Sequence, residues 1–212
     1  LTATPIGNLD DITFRAVETL KACPVVAAED SRRIGILLKH YEISDKKIIV
    51  YNEHNEKRKT AELIELLENG TDIALTTDAG TPSISDPGFL VVREAAAKGI
   101  PVTSIPGPCA FVSALICSGF PVTSFRFTGF IPRKQGKKTK FLEGITETTV
   151  CYESPHRIAK TVALMAETIP DSEVVIGREL IKKFEEFICG TAAEVQESIE
   201  GRNLKGEITV VV

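Results

Sequence analysis

Two polar clusters each follow an apolar, β-branched run. Glu29, Asp30, Arg32 and Arg33 in "EDSRR" come behind "PVVAA", and Glu53, His54, Asn55 and Glu56 in "EHNE" come behind "KIIVYN". Carboxylates or an imidazole in such places can take a proton from a reluctant nucleophile, and an arginine can steady a developing anion. The same residues also serve plainer ends. Asp30 or Ser31 and Asn55 stand where the next helix needs an N-cap, and a lone histidine is often a hydrogen-bonding surface residue. The catalytic candidates are Glu29, Asp30, Arg32, His54 and Asn55.

Four bends accompany them: "TPIGNLDDIT" at 4–13, "DAGTPSISDPG" at 78–88, "IPGPCA" at 105–110 and "YESPHR" at 152–157. Each puts small or rigid backbone where a strand is expected to end, which lets carbonyls and amides close around a flat polar ligand. Ordinary turns use Asp, Gly, Pro and Ser as well, but four such bends are harder to dismiss than one. The usual nucleotide loops are absent. "DAGTPSISDPG" has no G-x-G-x-x-G, and Pro82 and Pro87 remove amides that would face a pyrophosphate. Gly129 to Gly136 encloses six residues where a P-loop needs four. No G-x-S-x-G elbow or H-E-x-x-H occurs to anchor a hydrolase.

The elements that must position these residues alternate: "PVVAA" then "SRRIGILLKHY", "KIIVYN" then "EKRKTAELIELLENG", "DIALTT" then "GFLVVREAAAKG", "PVTSI" then "CAFVSALICSG". That rhythm predicts βαβ units around a mostly parallel sheet, preceded by a first strand at Leu1. Leu63, Leu66 and Leu67 form one helical stripe, with Gly70 as a C-terminal stop. The rhythm breaks near "GFPVTSFRFTGFIPRKQGKKTK". A second set follows: "TTVCYES", the helix "HRIAKTVALMAETI" with Ile158, Val162, Met165 and Ile169 inward, then "EVVIGREL", "EFICG" and "GEITVVV". The expectation is an α/β protein of two lobes, 1–120 and 121–212.

With 212 residues, 43% of them hydrophobic, the chain can bury a substantial core. No apolar stretch reaches the roughly 20 residues a bilayer demands, so no membrane partner is expected. The chain starts at Leu1 within an expected strand and without Met, which reads as a fragment. Five scattered cysteines, without a C-x-x-C pair and among apolar neighbours, read as buried thiols of a reducing cytoplasm. Three widely spaced histidines predict no metal site. A net charge of −4 argues against binding nucleic acid over the whole surface. One local patch stands out: "RKQGKKTK" at 133–140 holds five basic residues and no acid. It reads as a loop able to grip phosphates, or else as solvated lysines. Its candidates are Arg133, Lys134, Lys137, Lys138 and Lys140, joined by Arg33.

Taken in order, "ATPIGNLDDIT", "AAEDSRR", "NEHNE", "DAGTPSISDPG", "PGPCA", "GFIPRK" and "YESPHR" resemble the tetrapyrrole methylase superfamily over essentially the whole chain. Within it they are most similar to the branch acting on ribosomal RNA; in the porphyrin-precursor and diphthine methylases the second bend reads more like Gly-Asp-Pro. The resemblance implies a mostly parallel sheet in the first lobe, a mixed sheet in the second, and S-adenosylmethionine in a cleft between them. It implies a homodimer that methylates the ribose 2′-hydroxyl of a cytidine in 16S RNA within the small ribosomal subunit. By the same resemblance the cofactor residues are Pro5, Ile6, Asp78, Gly80, Ser83, Ile84, Pro108, Cys109, Ala110, Tyr152 and Glu153. Some relatives continue past "GEITVVV" with a further segment. Two other readings stand beside this one: methylation of a small tetrapyrrole precursor, and a catalytically idle module that binds the cofactor or RNA.

Overall fold

The computed structural model describes all 212 residues, which divide into two compact units, Leu1–Cys109 and Ala110–Val212. The first is built on strands β1 (Val25–Ala28), β2 (Lys47–Val50) and β3 (Ile73–Leu75), in the order β2-β1-β3 and parallel throughout. Helices α1 (Phe14–Ala22), α2 (Ser31–His40), α3 (Glu56–Glu68) and α4 (Phe89–Ala97) cover it. All four residues of β1 are buried, because a parallel sheet is packed on both faces. Val26 and Ala28 meet Leu20, Ile34, Leu37 and Leu38 on one side, while Val25 and Ala27 meet Leu63, Ile64, Val91 and Ala95 on the other.

Two expected strands of this unit shrink to single contacts. Thr2 bridges Ile105 and Thr4 bridges Gly80, with the Thr2 N–H donating to the Leu75 carbonyl at 2.8 Å. The first segment lies beside β3 and the second beside the first, and neither extends the ladder of β3. Helix α1 has no counterpart in the alternation. Thr13 caps it by accepting the Ala16 N–H, and it buries only Ala16 and Leu20.

The second unit contains α5 (Ala110–Cys117), β4 (Arg126–Phe130), α6 (Gln135–Glu143), β5 (Thr149–Glu153), α7 (Ile158–Thr168), β6 (Glu173–Arg178), β7 (Glu186–Thr191), α8 (Ala192–Ile199) and β8 (Ile208–Val211). Its sheet runs β4-β5-β8-β6-β7. The β4/β5 pair is parallel and the remaining pairs are antiparallel, giving the mixed sheet. Cys151, Val174, Ile176 and Val210 pack on Ile158, Val162, Met165 and Val195 of α7 and α8. On the opposite face Val150, Val175 and Val211 receive Ala114 and Leu115 of α5. That packing assigns α5 to the second unit, so the division falls between Cys109 and Ala110 instead of near residue 120.

Three local expectations change. The basic stretch is not a loop: Gln135 to Glu143 is helical, so the lysines lie on α6 at different angles around its axis. β4, which the alternation missed, precedes it. Of the five cysteines, Cys23 and Cys151 are buried, but Cys117 and Cys189 are exposed, on the outer side of α5 and on an edge strand. No helix is long and apolar enough to cross a membrane.

Candidate functional site

Three of the four bends meet in the first unit. Thr4 and Gly80 exchange backbone hydrogen bonds at 2.9 and 3.0 Å, and the Thr81 hydroxyl donates to the Pro108 carbonyl at 3.0 Å. Gly80 has φ +88°, and a Cβ there would lie 3.2 Å from Ile6 and 3.6 Å from the Pro108 carbonyl oxygen. Only glycine adopts that conformation without strain and admits so close an approach. Pro5, Ile6, Gly80 and Pro108 therefore share one corner beyond β3.

The second bend is held tightly in shape. Ser83 and Ser85 have φ of 69° and 64°, left-handed values that cost a non-glycine residue about 1 kcal/mol or more each. A Cβ on Gly88 would fall 2.2 Å from Ser83 Oγ, an atom that is buried without a hydrogen-bond partner. Strain and an orphaned hydroxyl in one short loop are features that concentrate where backbone is shaped for a ligand. Ile84 lies in the same turn, its N–H bonded to the Thr81 carbonyl at 3.3 Å.

Asp78 ties this bend to the end of β1. Its N–H donates to Glu29 Oε2 at 3.3 Å, its Oδ1 accepts the Asp30 N–H at 3.1 Å, and its Oδ2 faces Arg33 Nε at 3.4 Å. Glu56 holds the other end of the bend: Oε1 accepts the Gly88 N–H at 3.1 Å and the Tyr51 hydroxyl at 3.2 Å. Burial pushes the Tyr51 phenol up to about 12, so it remains a donor. Glu56 belongs to the "EHNE" cluster but is not one of the five catalytic candidates. Its signal was the placing of a carboxylate at the first position of a helix, five residues after a buried tyrosine.

Glu29, Asn52, Glu53, His54, Glu56, Asp78, Ser85, Asp86 and Pro87 line a hollow of about 570 Å³. Its surplus of carboxylates suits a cationic ligand. The Glu29 carboxyl is raised from its ordinary value, first by burial and then by the neighbouring Asp78 and Glu53 charges, against the lowering effects of the Asp78 N–H bond and the Arg33 charge. Asp78 also borders a second hollow, of about 280 Å³, with Thr4, Pro5, Arg33 and Thr77. No group of three or more His, Cys, Asp or Glu side chains is arranged to hold a metal ion.

The other polar candidates have local duties. Asp30 caps α2 by accepting the Arg32 N–H at 2.8 Å, and it pairs with the Arg32 guanidinium at 2.6 Å. That hydrogen-bonded pair holds the Asp30 carboxyl down at about 2, well suited to an anion and poorly suited to a base. Asn55 spends its amide on the neighbouring backbone, accepting the Asn52 N–H at 2.9 Å and donating to the Val50 carbonyl at 3.1 Å. His54 is exposed at the rim of the hollow, 3.7 Å from Glu53.

In the second unit the fourth bend carries a buried ion cluster. Glu153 is only 2% exposed; it pairs with Arg157, accepts the Thr161 hydroxyl at 2.6 Å and the Ser154 N–H at 2.7 Å, and lies 3.8 Å from Lys138 Nζ. Lys138 is 6% exposed and bonds Thr161 at 2.6 Å. Both ionic side chains are turned into the protein. Lys138 thus offers no ammonium to a surface ligand, while Arg133, Lys134, Lys137 and Lys140 are all exposed. Tyr152 is half-buried between Phe127 and Phe130. Cys109 and Ala110, both half-buried, flank the division between the units.

Comparison with known proteins places this geometry among methylases. The family described as tetrapyrrole (corrin/porphyrin) methylases matches residues 2–196. The ribosomal RNA small subunit methyltransferase I of Hydrogenobaculum sp. (strain Y04AAS1) is 45% identical over 212 residues, 99% of this chain and 92% of that protein. The protein of the same name from Streptococcus pyogenes serotype M3 (strain ATCC BAA-595 / MGAS315) is 45% identical over 215 residues, 100% of this chain and 75% of its own length. Among solved structures, a diphthine synthase superposes with a TM-score of 0.74 at 16% identity, covering 100% of this chain and 88% of that one; at that identity the likeness concerns the fold.

Proposed function

The chain belongs to the tetrapyrrole (corrin/porphyrin) methylase family, and from that premise we propose that it binds S-adenosylmethionine and methylates the ribose 2′-hydroxyl of a cytidine in 16S RNA of the small ribosomal subunit. The substrate class is supported by the name shared by relatives at 45% identity. The observation that carries the reading is the interlocking of three glycine- and proline-rich bends beside an acidic hollow.

The residues present fit the cofactor. The cramped backbone at Gly80, the orphaned Ser83 hydroxyl and the Asp78 carboxylate supply close approach, a hydrogen bond and negative charge. When bound, S-adenosylmethionine supplies a methyl group activated by its sulfonium. Pro5, Ile6, Asp78, Gly80, Ser83, Ile84, Pro108 and Cys109 of the first unit are the residues proposed to hold it. Glu153 fixes the end of β5 through its bond to the Ser154 N–H.

Glu29 is the proposed base. Its Oε2 is engaged by the Asp78 N–H, which leaves Oε1 to receive the proton of the ribose hydroxyl as the oxygen attacks. A carboxyl raised by burial is better matched to that task than the Asp30 carboxyl, which Arg32 holds low. The remaining acceleration comes from alignment of the attacking oxygen with the methyl group, which rigid bends provide. By the same resemblance the protein is a homodimer acting in the cytoplasm on the assembled subunit.

The test is transfer of tritium from labelled S-adenosylmethionine to purified small subunits, to naked 16S RNA and to a tetrapyrrole precursor. Label in the subunits, lost when the acceptor cytidine is 2′-deoxy, is the expected result. Label in the tetrapyrrole alone would replace this reading with the small-molecule one.

A further inference from the structure

We propose that Phe130 is a stacking post for an unpaired base of the RNA substrate, with Arg133, Lys134 and Lys137 holding the adjoining phosphates; the proposal rests on the reading of the substrate as RNA. It begins with an irregularity of β4, the edge strand of the second unit's sheet. Phe127 pairs with Val150 and Phe130 with Tyr152, so three steps on β4 oppose two on β5. Gly129, at φ 66°, lies within the irregular segment. In a regular strand residues three apart point to opposite faces. The bulge restores the phase, and both phenylalanines meet the Tyr152 ring, Phe127 at 5.2 Å and 72°, Phe130 at 5.6 Å and 61°.

The two rings have different fates. Phe127 is half-buried and stacks on Phe111 at 4.3 Å. Phe130 is 58% exposed. Its neighbour Ile131 is buried, donates its N–H to the Tyr152 carbonyl at 3.0 Å and accepts from Arg157 Nη2 at 3.3 Å. The exposed ring is therefore held in place by its backbone, which limits the entropy lost on binding. The bulge also leaves the Thr128 hydroxyl buried without a partner. Bulges of this kind recur beside sites, where they re-aim a side chain.

The surrounding charge selects the partner. No acidic residue occurs between Arg126 and Leu142, and residues 133–137 are all exposed. A fixed aromatic face followed by exposed cations is the chemistry that holds single-stranded nucleic acid, the ring taking a base and the cations its backbone. Pro132 keeps the two parts at a fixed spacing.

The chain has no tryptophan, so Phe130→Trp introduces a single reporter. Its emission is expected to be quenched by small subunits and by a short single-stranded fragment of 16S RNA; emission unchanged by both would overturn the proposal. Phe130→Ala and Phe130→Leu should each raise KM for RNA by about tenfold, with KM for S-adenosylmethionine unchanged. A leucine variant that behaves as wild type would overturn stacking. So would a shift of Phe130→Ala to a smaller sedimenting species, which would make this face a contact between copies. If wild-type protein transfers no label to RNA, the RNA reading fails first and this proposal falls with it; if wild type transfers and Phe130→Ala does so with the same KM, only this proposal falls.

Discussion

Asp78 and Glu29 are joined across adjacent strand ends, the Asp78 N–H donating to Glu29 Oε2 at 3.3 Å while Asp78 Oδ1 accepts from the next residue, Asp30, at 3.1 Å. The contact exists because β1 and β3 are parallel neighbours that finish at the same edge. It brings two carboxylates together beside one hollow, where burial first, and then the Asp78 charge, raises the Glu29 carboxyl. Arg33 pairs with Asp78 at 3.4 Å. One backbone bond thus links the proposed cofactor bend to the proposed base.

Glu29→Gln is expected to lower kcat by about 10²- to 10⁴-fold, the usual contribution of a general base. The folded-state carboxyl is raised, so its neutral form is favoured at low pH; stability present below the unfolded value is lost as pH rises through the folded one. The glutamine variant should therefore unfold at the same or a higher urea concentration at pH 7 while being nearly inactive. The wild-type rate should climb with pH through a midpoint above that of an ordinary glutamate, and the residual rate of the variant should lack that limb. An identical pH profile in the variant would remove Glu29 from the role.

Asp78→Ala should weaken S-adenosylmethionine binding by about ten- to a hundredfold by calorimetry, the loss expected for one charge-assisted contact. Stability should change little, because the Arg33 pair is partly exposed and such pairs contribute about 1 kcal/mol at most. Unchanged affinity would exclude the side chain as a ligand.

Glu153→Ala is expected to destabilise the second unit by about 3–5 kcal/mol in urea unfolding, since it strips Lys138 and Arg157 of their shared buried anion. Lys138→Met should cost less, because Arg157 and the Thr161 hydroxyl still serve Glu153. Equal losses would show that Lys138 is the principal counter-charge.

Replacing Arg133, Lys137 and Lys140 by glutamine should reduce the slope of log affinity against log salt for small subunits by about 2, at roughly 0.7 per lost contact with single-stranded RNA. Lys138→Met should leave that slope unchanged despite its place in the same basic run, because its ammonium is buried.

Much of the first unit was legible because its period is strong. Val25 to Ala28 reads as a doubly buried strand, and Leu63 with Leu66 and Leu67 as a helical stripe, from local pattern alone. What pattern could not show was pairing. Leu1–Thr4 and residues 101–105 have strand-like composition, yet they form only isolated bridges, Thr2 with Ile105 and Thr4 with Gly80. Lys138 illustrates a second limit. Five cations in eight residues look alike as a string, but winding them onto α6 sends one of them inward to Glu153, a partner fifteen positions away. Among the polar clusters, Asp30 is the helix cap its position suggests, whereas Asn55 makes no side-chain cap bond to α3 and turns back to Asn52 and Val50 instead. The distinction of Glu29 arises from the long-range contact with Asp78 and was invisible until the strands were placed.

The position of β8 bears on how the molecule is made. It follows every other strand of its sheet in the chain yet lies between β5 and β6. During translation the β4–β5 and β6–β7 pairs emerge first and have no means of joining until residues 208–211 leave the ribosome. The first unit, whose strands are complete by residue 75, can close well before that. Each newly made copy accordingly carries two half-sheets with open edges until residues 208–211 have emerged.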